Sequence, residues 1–144
     1  MRYVRFEVPF VCGKGRVRFV RRTGRTYTPD ATAEAMERIR AAYERAACGA
    51  SAPSGVPVEV FIETWRPLPK SRPKRVISEP DTVRPDADNV AKLVLDALNG
   101  CAWADDTQVT FLTVHKLPRT RKVLEQTVVI VRWYEQEREE CNED

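Results

Sequence analysis

Alternation of apolar and polar residues marks the strands of this chain. The segments YVRFEVPF (3–10) and VEVFIETW (58–65) alternate with period two, which predicts strands with one buried face. Two further segments, VTFLTVHKL (109–117) and TVVIVRWY (127–134), are rich in β-branched residues and predict two more strands. The segment RVRFVRRTGRTYT (16–28) predicts a hairpin, because Gly24 after Thr23 can supply the positive φ of a tight turn.

Helical spacing replaces this alternation in two places. Thr28-Pro29 is typical of a helix start, with a capping residue followed by proline in the first turn. The helix that follows should end near Cys48-Gly49, ahead of a Gly-, Pro- and Ser-rich loop at 50–57. Its predicted buried side consists of Met36, Ile39, Tyr43 and Ala46.

The second helix is predicted from about Asp88 to Leu98, with Asn99-Gly100 as its stop signal. Its apolar face recurs at i, i+3, i+4, i+7 and i+8, at Val90, Leu93, Val94, Ala97 and Leu98. The order of elements predicts a small α+β fold with a mixed β-sheet and two main helices. We expect a single domain over residues 1–134, followed by an acidic tail at 135–144.

A proline-rich basic segment, RPLPKSRPKRVISEPDTVRP (66–85), precedes the second helix, and we call it the arm. Its five prolines exclude a regular helix or a central strand. Two interpretations remain open: a mobile arm that binds a sugar-phosphate backbone, or a solvated linker. The residues that would contact nucleic acid are Lys70, Arg72, Lys74, Arg75 and Arg84.

The charge distribution favours a nucleic-acid partner. The formal net charge is +3, but the last ten residues carry six acids and one arginine, so the first 134 residues carry +8. Arginine, which binds phosphate oxygens with two parallel N–H groups, outnumbers lysine 18 to 6. An arginine-rich solvated surface without a partner would have the same composition, so charge alone leaves both interpretations open.

Cysteine spacing and hydropathy bound the remaining classes. The four cysteines, at 12, 48, 101 and 141, form no Cys-x-x-Cys pair, and His115 is the only histidine, so we expect unpaired thiols rather than a zinc site. No segment approaches the ~20 apolar residues that span a bilayer, and the N-terminus lacks the apolar run of a secretory signal. We therefore expect a cytoplasmic protein without a membrane partner.

Two acidic pairs flank the second helix. Asp86 and Asp88 stand at its start, where a carboxylate can cap backbone N–H groups, but capping explains one of them and not both. Lys92 follows Asp88 at i+4, which fits a surface ion pair or a cation beside a phosphate. Asp105 and Asp106 either form a turn or double back to converge with the first pair on a divalent cation. Convergence on a basic protein would indicate metal-assisted phosphodiester hydrolysis.

At these residues the chain resembles the RusA family of Holliday junction resolvases, endonucleases often carried by prophages. The resemblance rests on RPDADNVAKLVLDALNG followed by WADDTQV, a dense match over about 26 residues, and is looser elsewhere. It implies that Asp86, Asp88 and Asp106 bind Mg²⁺, with Mn²⁺ a possible substitute, and that Lys92 is catalytic. Asp105 is carried over less securely, while Asn89 and Asp96 are expected to position the site.

The resemblance also implies paired symmetrical nicks in four-way DNA junctions, leaving 5′-phosphates, by a C2 homodimer that supplies two equivalent sites. Junction recognition would come from phosphate contacts and DNA shape rather than base sequence. Trp65, Trp103 and Trp133 are candidates for stacking, although core packing is the more common role of such residues. Two alternatives stay open: a junction-binding accessory protein that does not cleave, and another Mg²⁺-dependent phosphodiester hydrolase.

Overall fold

A four-stranded mixed sheet carries both helices of the computed structural model, which describes residues 1–15, 18–20, 22, 25–27 and 30–135. The Thr23-Gly24 turn, the Thr28-Pro29 helix start, Cys141 and tail residues 136–144 lie outside the described residues. The strands are β1 (Arg2–Val8), β2 (Arg18–Val20), β3 (Arg25–Tyr27), β4 (Val58–Trp65), β5 (Ser78–Glu79), β6 (Val109–Lys116), β7 (Arg119–Thr120) and β8 (Gln126–Trp133). The helices are α1 (Asp30–Ala47) and α2 (Ala87–Leu98), with a 3₁₀ turn at Asp106–Gln108.

The main sheet has the order β1-β8-β4-β6. Strand β8 pairs antiparallel with both β1 and β4, whereas β4 pairs parallel with β6. The prediction of an α+β fold with a mixed sheet and two main helices is therefore confirmed. The predicted hairpin is present as the antiparallel pair β2-β3.

Period-two burial along the strands builds the core. Along β4 the side chains of Val58, Val60 and Ile62 are buried, while their neighbours in sequence are more exposed. Strand β1 buries Val4, Phe6 and Val8 in the same way, beneath α1. Helix α2 buries all five of its predicted apolar residues, together with Ala91.

The buried side of α1 differs from the prediction in its last turn. Ile39 and Tyr43 are buried as expected, but Ala46 is exposed, and Ala47 is buried in its place. Met36 is half-buried at the margin of this face. Positions i+3 and i+4 both lie close to the face of Tyr43 on a helix, and here the buried face continues at i+4, which is Ala47.

Strands β4 and β6, with α2 between them in sequence, form a βαβ unit, and this unit positions the candidate site. Arg66, directly after β4, donates to the carbonyl of Arg84, two residues before Asp86. At the opposite end, the N–H of Ala52, ahead of β4, donates to the carbonyl of Ala102, just beyond α2. Helix α2 therefore begins beside the end of β4 and runs back towards the start of that strand.

Candidate active site at the start of helix α2

The first acidic pair stands at the N-terminus of α2 with its carboxylates largely uncommitted. Asp86, rather than Asp88, is the N-cap residue, and its side chain makes no capping hydrogen bond. Asp88 lies in the first turn with a side chain 69% exposed. Helix α2 begins at Ala87, within one residue of the predicted start near Asp88, and the Asp86 carboxylate does not serve as the cap. Both lie where the partial positive charge of the helix N-terminus favours anions.

Lys92 is the cation nearest to this pair on the helix itself. Its Nζ lies 3.6 Å from Oδ2 of Asp88, and its side chain is 62% exposed. The i, i+4 spacing predicted this contact, which contributes little to stability in such an exposed position. The ammonium group therefore stands beside the carboxylates while remaining accessible to a ligand.

A glycine brings the segment after β1 against the helix start. A Cβ atom on Gly13 would lie 2.7 Å from Cβ of Pro85 and 3.1 Å from Cβ of Asn89, so only glycine fits this approach. The next residue, Lys14, donates its backbone N–H to the carbonyl of Asn89, and its ammonium group pairs with Asp96. The backbone carbonyl of Asn89 and the side chain of Asp96 thus anchor this segment to α2.

These segments line an open cleft of about 780 Å³ at the N-terminus of α2. Its lining residues combine three cations with one carboxylate and a few small side chains: Val11, Cys12, Gly13, Lys14, Arg66, Arg84, Pro85, Asp86 and Asn89. Burial raises the pKa of the Cys12 thiol above its ordinary value of 9.0. Asp86 supplies the carboxylate of the cleft, whereas Asp88 and Lys92 lie outside its lining.

The second acidic pair is bound into a local turn. Asp105 caps the 3₁₀ turn by accepting from the N–H of Thr107, and this hydrogen bond lowers the pKa of its carboxyl group. The half-buried Asp106 accepts a 2.8 Å hydrogen bond from Nε1 of Trp103. The interpretation of Asp105 as a turn residue is confirmed, and Trp103 is a buried partner of Asp106.

Gln108 locks this turn onto the rest of the molecule. Its buried side chain accepts from the N–H groups of Ala104 and Asp105 and donates to the carbonyls of Pro53 and Val56. The turn is therefore fixed beside the start of β4, and β6 begins immediately after it.

The two acidic pairs occupy opposite ends of α2. Twelve helical residues separate Asp86 from the α2 C-terminus, a length of about 18 Å at 1.5 Å per residue. Within the described ranges, no three Asp, Glu, His or Cys side chains form a group that could hold a metal ion. The expected doubling back of the chain is not seen, because the segment after α2 enters β6 at the far end of the βαβ unit. Asp86 and Asp88 lie at the start of α2, and Asp106 of the same chain lies beyond its other end.

The arm is held against the β7 region along its length. Its residues pair in the short ladder β5-β7, and Arg121 donates to the carbonyls of Arg72, Pro73 and Val76. Lys116 adds a bond to the carbonyl of Val83. The segment is thus bonded to the β7 region, and it contains no regular helix, as predicted. Its binding to a sugar-phosphate backbone stays a prediction.

The five cations predicted to contact nucleic acid are all exposed on this arm: Lys70, Arg72, Lys74, Arg75 and Arg84. Arg72 pairs with Glu79, which lowers the pKa of that carboxyl group. Lys74 lies beside Arg121 and Lys122 around a cavity of about 300 Å³. Arg84 alone among the five lines the cleft that contains Asp86.

Two cleft cations were missed from the sequence. Lys14 lies 72 residues before Asp86 and carries no local motif; the Gly-Lys-Gly context was the only signal available. Arg66 belongs to the basic arm but was not singled out as a site residue. Their proximity to Asp86 results from long-range packing.

The tryptophans are explained by packing. Trp103 and Trp133 are buried at 2% and 1% exposure, which excludes stacking on a ligand in this conformation. Trp65, at the end of β4, is half-buried. Cys12, Cys48 and Cys101 are unpaired, as expected.

At the start of α2, three cations and Asp86 line a cleft, and Asp88 and Lys92 lie outside its lining. Cations in such a cleft suit the binding of phosphate groups. The family model for endodeoxyribonuclease RusA matches residues 9–132. This chain therefore belongs to the RusA endodeoxyribonuclease family, and the resemblance noted in the sequence is confirmed.

One curated relative is an uncharacterized protein, YqaN, of Bacillus subtilis (strain 168). It is 40% identical over 68 residues, covering 42% of this chain and 48% of the relative. The chain thus matches about half the length of this relative. Among the described helices, none is both long and apolar enough to cross a membrane.

Proposed function

We propose that this protein is a Mg²⁺-dependent endonuclease that resolves Holliday junctions by paired symmetrical nicks, leaving 5′-phosphates. The observation that carries the proposal is the pair Asp86 and Asp88 at an uncapped helix mouth, with Lys92 at 3.6 Å from Asp88. This arrangement lies within the residues matched by the family model. An accessory protein that only binds junctions would have no need of the Asp86 carboxylate among the cations of the cleft, with the Asp88–Lys92 pair next to it.

The donor set at the helix mouth suits Mg²⁺. Asp86 makes no capping bond, and the one ion pair of Asp88 in the described part of the chain is with Lys92, so both carboxylates can bind a cation. Mg²⁺ in phosphoryl-transfer sites is usually bound by one or two carboxylates together with substrate phosphates and waters. When bound there, it would supply Lewis acidity towards the scissile phosphate and lower the pKa of a coordinated water.

The residues of the chain itself would bind and orient the DNA strand. Arg84 lines the cleft and meets a phosphate near Asp86. Lys92 neutralises the negative charge that develops on the reacting phosphate or its leaving oxygen. The exposed arm cations Lys70, Arg72, Lys74 and Arg75 contact neighbouring phosphates, which gives affinity without base specificity.

A homodimer accounts for the distant position of Asp106. Resolution requires two nicks related by symmetry, which a C2 dimer supplies. Because about 18 Å of helix lies between the two acidic pairs of one chain, we propose that Asp106 acts at the helix mouth of a second copy.

Strand β6, which follows Asp106 directly, ends the main sheet and exposes Phe111 (45%) and Leu112 (41%). An apolar sheet edge of this kind is a common site of association. It would bring the Asp106 turn to the second chain.

Incubation with a synthetic four-way junction and MgCl₂ tests the proposal. We expect paired nicks at symmetry-related positions, absent in EDTA, and little cleavage of linear duplex. Binding without nicks would indicate the accessory protein instead. Turnover of another phosphoester with indifference to the junction would indicate a different hydrolase.

The role of the arm is tested separately, by the salt dependence of junction binding. Replacing Lys74 and Arg75 by Gln should weaken binding and reduce the slope of log Kd against log salt, by about one for each phosphate that is no longer neutralised. An unchanged slope would mean that Lys74 and Arg75 are solvated surface residues that do not contact phosphates.

A further inference from the structure

Asp81 is a buried carboxylate without a hydrogen bond. Its side chain is 0% exposed, and among the described residues neither Oδ1 nor Oδ2 has a hydrogen-bond partner. It lies in the arm, five residues before Asp86. Burying an ionised carboxylate costs free energy unless a cation lies beside it, so the cation next to Asp81 indicates the role of this residue.

That neighbour is Arg66. Nη1 of Arg66 lies 3.6 Å from Oδ1 of Asp81, and its side chain is 20% exposed. The same Nη1 donates a 2.7 Å hydrogen bond to the carbonyl of Arg84. The distance to Asp81 is too long for a hydrogen bond, so the attraction holds the arginine without using its N–H groups.

Arg66 is thereby fixed at the wall of the cleft that contains Asp86. A guanidinium group has five N–H donors in a planar fork, and a single one is used by the Arg84 carbonyl in the described contacts. The fork matches the geometry of phosphate oxygens. Lys14, another cation of the cleft, is already paired with Asp96.

We propose that Arg66 binds a phosphate of the DNA strand beside Asp86, and that Asp81 is the positioning residue that holds Arg66 for this contact. The inference rests on the proposed function, because it takes DNA as the ligand of the cleft. Since Arg66 directly follows β4, its fixed charge would set where the strand enters relative to the helix mouth.

The test measures binding of a fluorescent synthetic four-way junction in EDTA, where neither metal nor nicking contributes. Wild type, Arg66→Gln, Asp81→Asn and the double variant are titrated over a series of salt concentrations. Arg66→Gln should raise Kd roughly tenfold, since it removes a charge-assisted contact, and reduce the salt slope by about one. Asp81→Asn should raise Kd in the wild-type background and have no further effect in the Arg66→Gln background.

Glu59→Gln is the matched control. Glu59 pairs with Arg132 on the main sheet, outside the cleft. The substitution therefore makes the same acid-to-amide change beside an arginine that does not line the cleft. It should leave both Kd and slope unchanged. Thermal unfolding of each variant checks that the fold persists.

Two results would overturn the inference: an Arg66→Gln variant with wild-type affinity and slope, or an Asp81→Asn effect that persists undiminished in the Arg66→Gln background. If Asp81→Asn does not fold, Arg66→Lys decides, because it keeps the charge but loses the fork. It should fall between wild type and Arg66→Gln, and equal affinity of all three would refute the phosphate contact. A wild type that neither binds nor nicks the junction would instead refute the proposed function.

Discussion

The two acidic pairs of this chain have the same side chains in different backbone surroundings. Asp86 and Asp88 stand at the start of a twelve-residue helix, and the N-cap side chain makes no hydrogen bond to its N–H groups. Asp105 and Asp106 stand at a three-residue turn, where one caps Thr107 and the other accepts from Trp103. Whether an aspartate is structural or available to a ligand thus depends on the donors that the fold places beside it.

The largest expected effect comes from the available pair. Replacing Asp88 by Asn removes the negative charge but keeps the size, so nicking of a four-way junction should fall below detection while binding at low salt persists. Gel assays of both properties check this. Asp30→Asn is the control, because Asp30 is the acidic residue in the first turn of α1. This variant should nick the junction at the wild-type rate. Nicking by Asp88→Asn at that rate would mean that the helix mouth is not the active site.

Mixing two inactive variants tests whether the second pair serves another copy. Asp88→Asn and Asp106→Asn are each expected to be inactive alone. In mixed dimers, sites shared between chains leave one site with both aspartates intact, so single nicks should return; sites within one chain leave none. Separately tagged variants, copurified and assayed on a junction, measure this. A parallel titration of the mixed dimers with Mn²⁺ should show that metal binding is recovered, and this measurement does not depend on cleavage.

The anchor of the second pair should matter for stability rather than chemistry. Gln108→Ala leaves the carbonyls of Pro53 and Val56 and two N–H groups without their partner. Only the bond to the Val56 carbonyl is fully buried, and water can partly replace the amide at the other three groups. Since a buried group left unsatisfied costs about 1–3 kcal/mol and the accessible ones less, we expect a loss of about 2–4 kcal/mol in the free energy of unfolding. Urea denaturation measures it. Gln126, half-buried at the start of β8, is the comparison, and Gln126→Ala should lower the free energy of unfolding by less. Equal losses in the two variants would show that Gln108 is not an anchor.

The smallest effect concerns Asp105. Hydrogen bonding to Thr107 lowers the pKa of its carboxyl group below the ordinary 3.8. Its contribution to stability is therefore fully present above the unfolded-state pKa and lost as pH falls through the folded-state pKa. Asp105→Asn keeps a capping oxygen, so wild type and variant should differ slightly at neutral pH and converge as the pH falls through the folded-state pKa. A difference that grows in acid, seen by thermal unfolding at several pH values, would contradict this.

Local patterns predicted the parts of the fold that depend on local periodicity. The apolar face of α2 was correct at every residue, because five apolar side chains at helical spacing leave one orientation. The exchange of Ala46 for Ala47 in α1 arose because adjacent alanines carry equal weight in such a pattern. The two-residue strands β5 and β7 were missed, since a ladder this short has no periodicity.

The candidate site was predictable as a motif but not as a geometry. The spacing in PDADN and the i+4 lysine indicated the helix mouth directly. The return path of the chain after Gly100 is not encoded in the short segment itself, so Asp106 was expected at the wrong end of α2. Lys14, Arg66 and Asp81 come together through packing between distant segments, which single-sequence patterns do not show.

Arg121 has a consequence for how the arm meets a ligand. Its bonds to three carbonyls between Arg72 and Val76 fix the bend of the arm in the unliganded protein. If the arm binds DNA as proposed, the loss of its backbone entropy is part of folding rather than of association, and the backbone that carries the neighbouring cations is positioned before the DNA binds. Phosphates whose spacing does not fit this preformed backbone would then be bound more weakly.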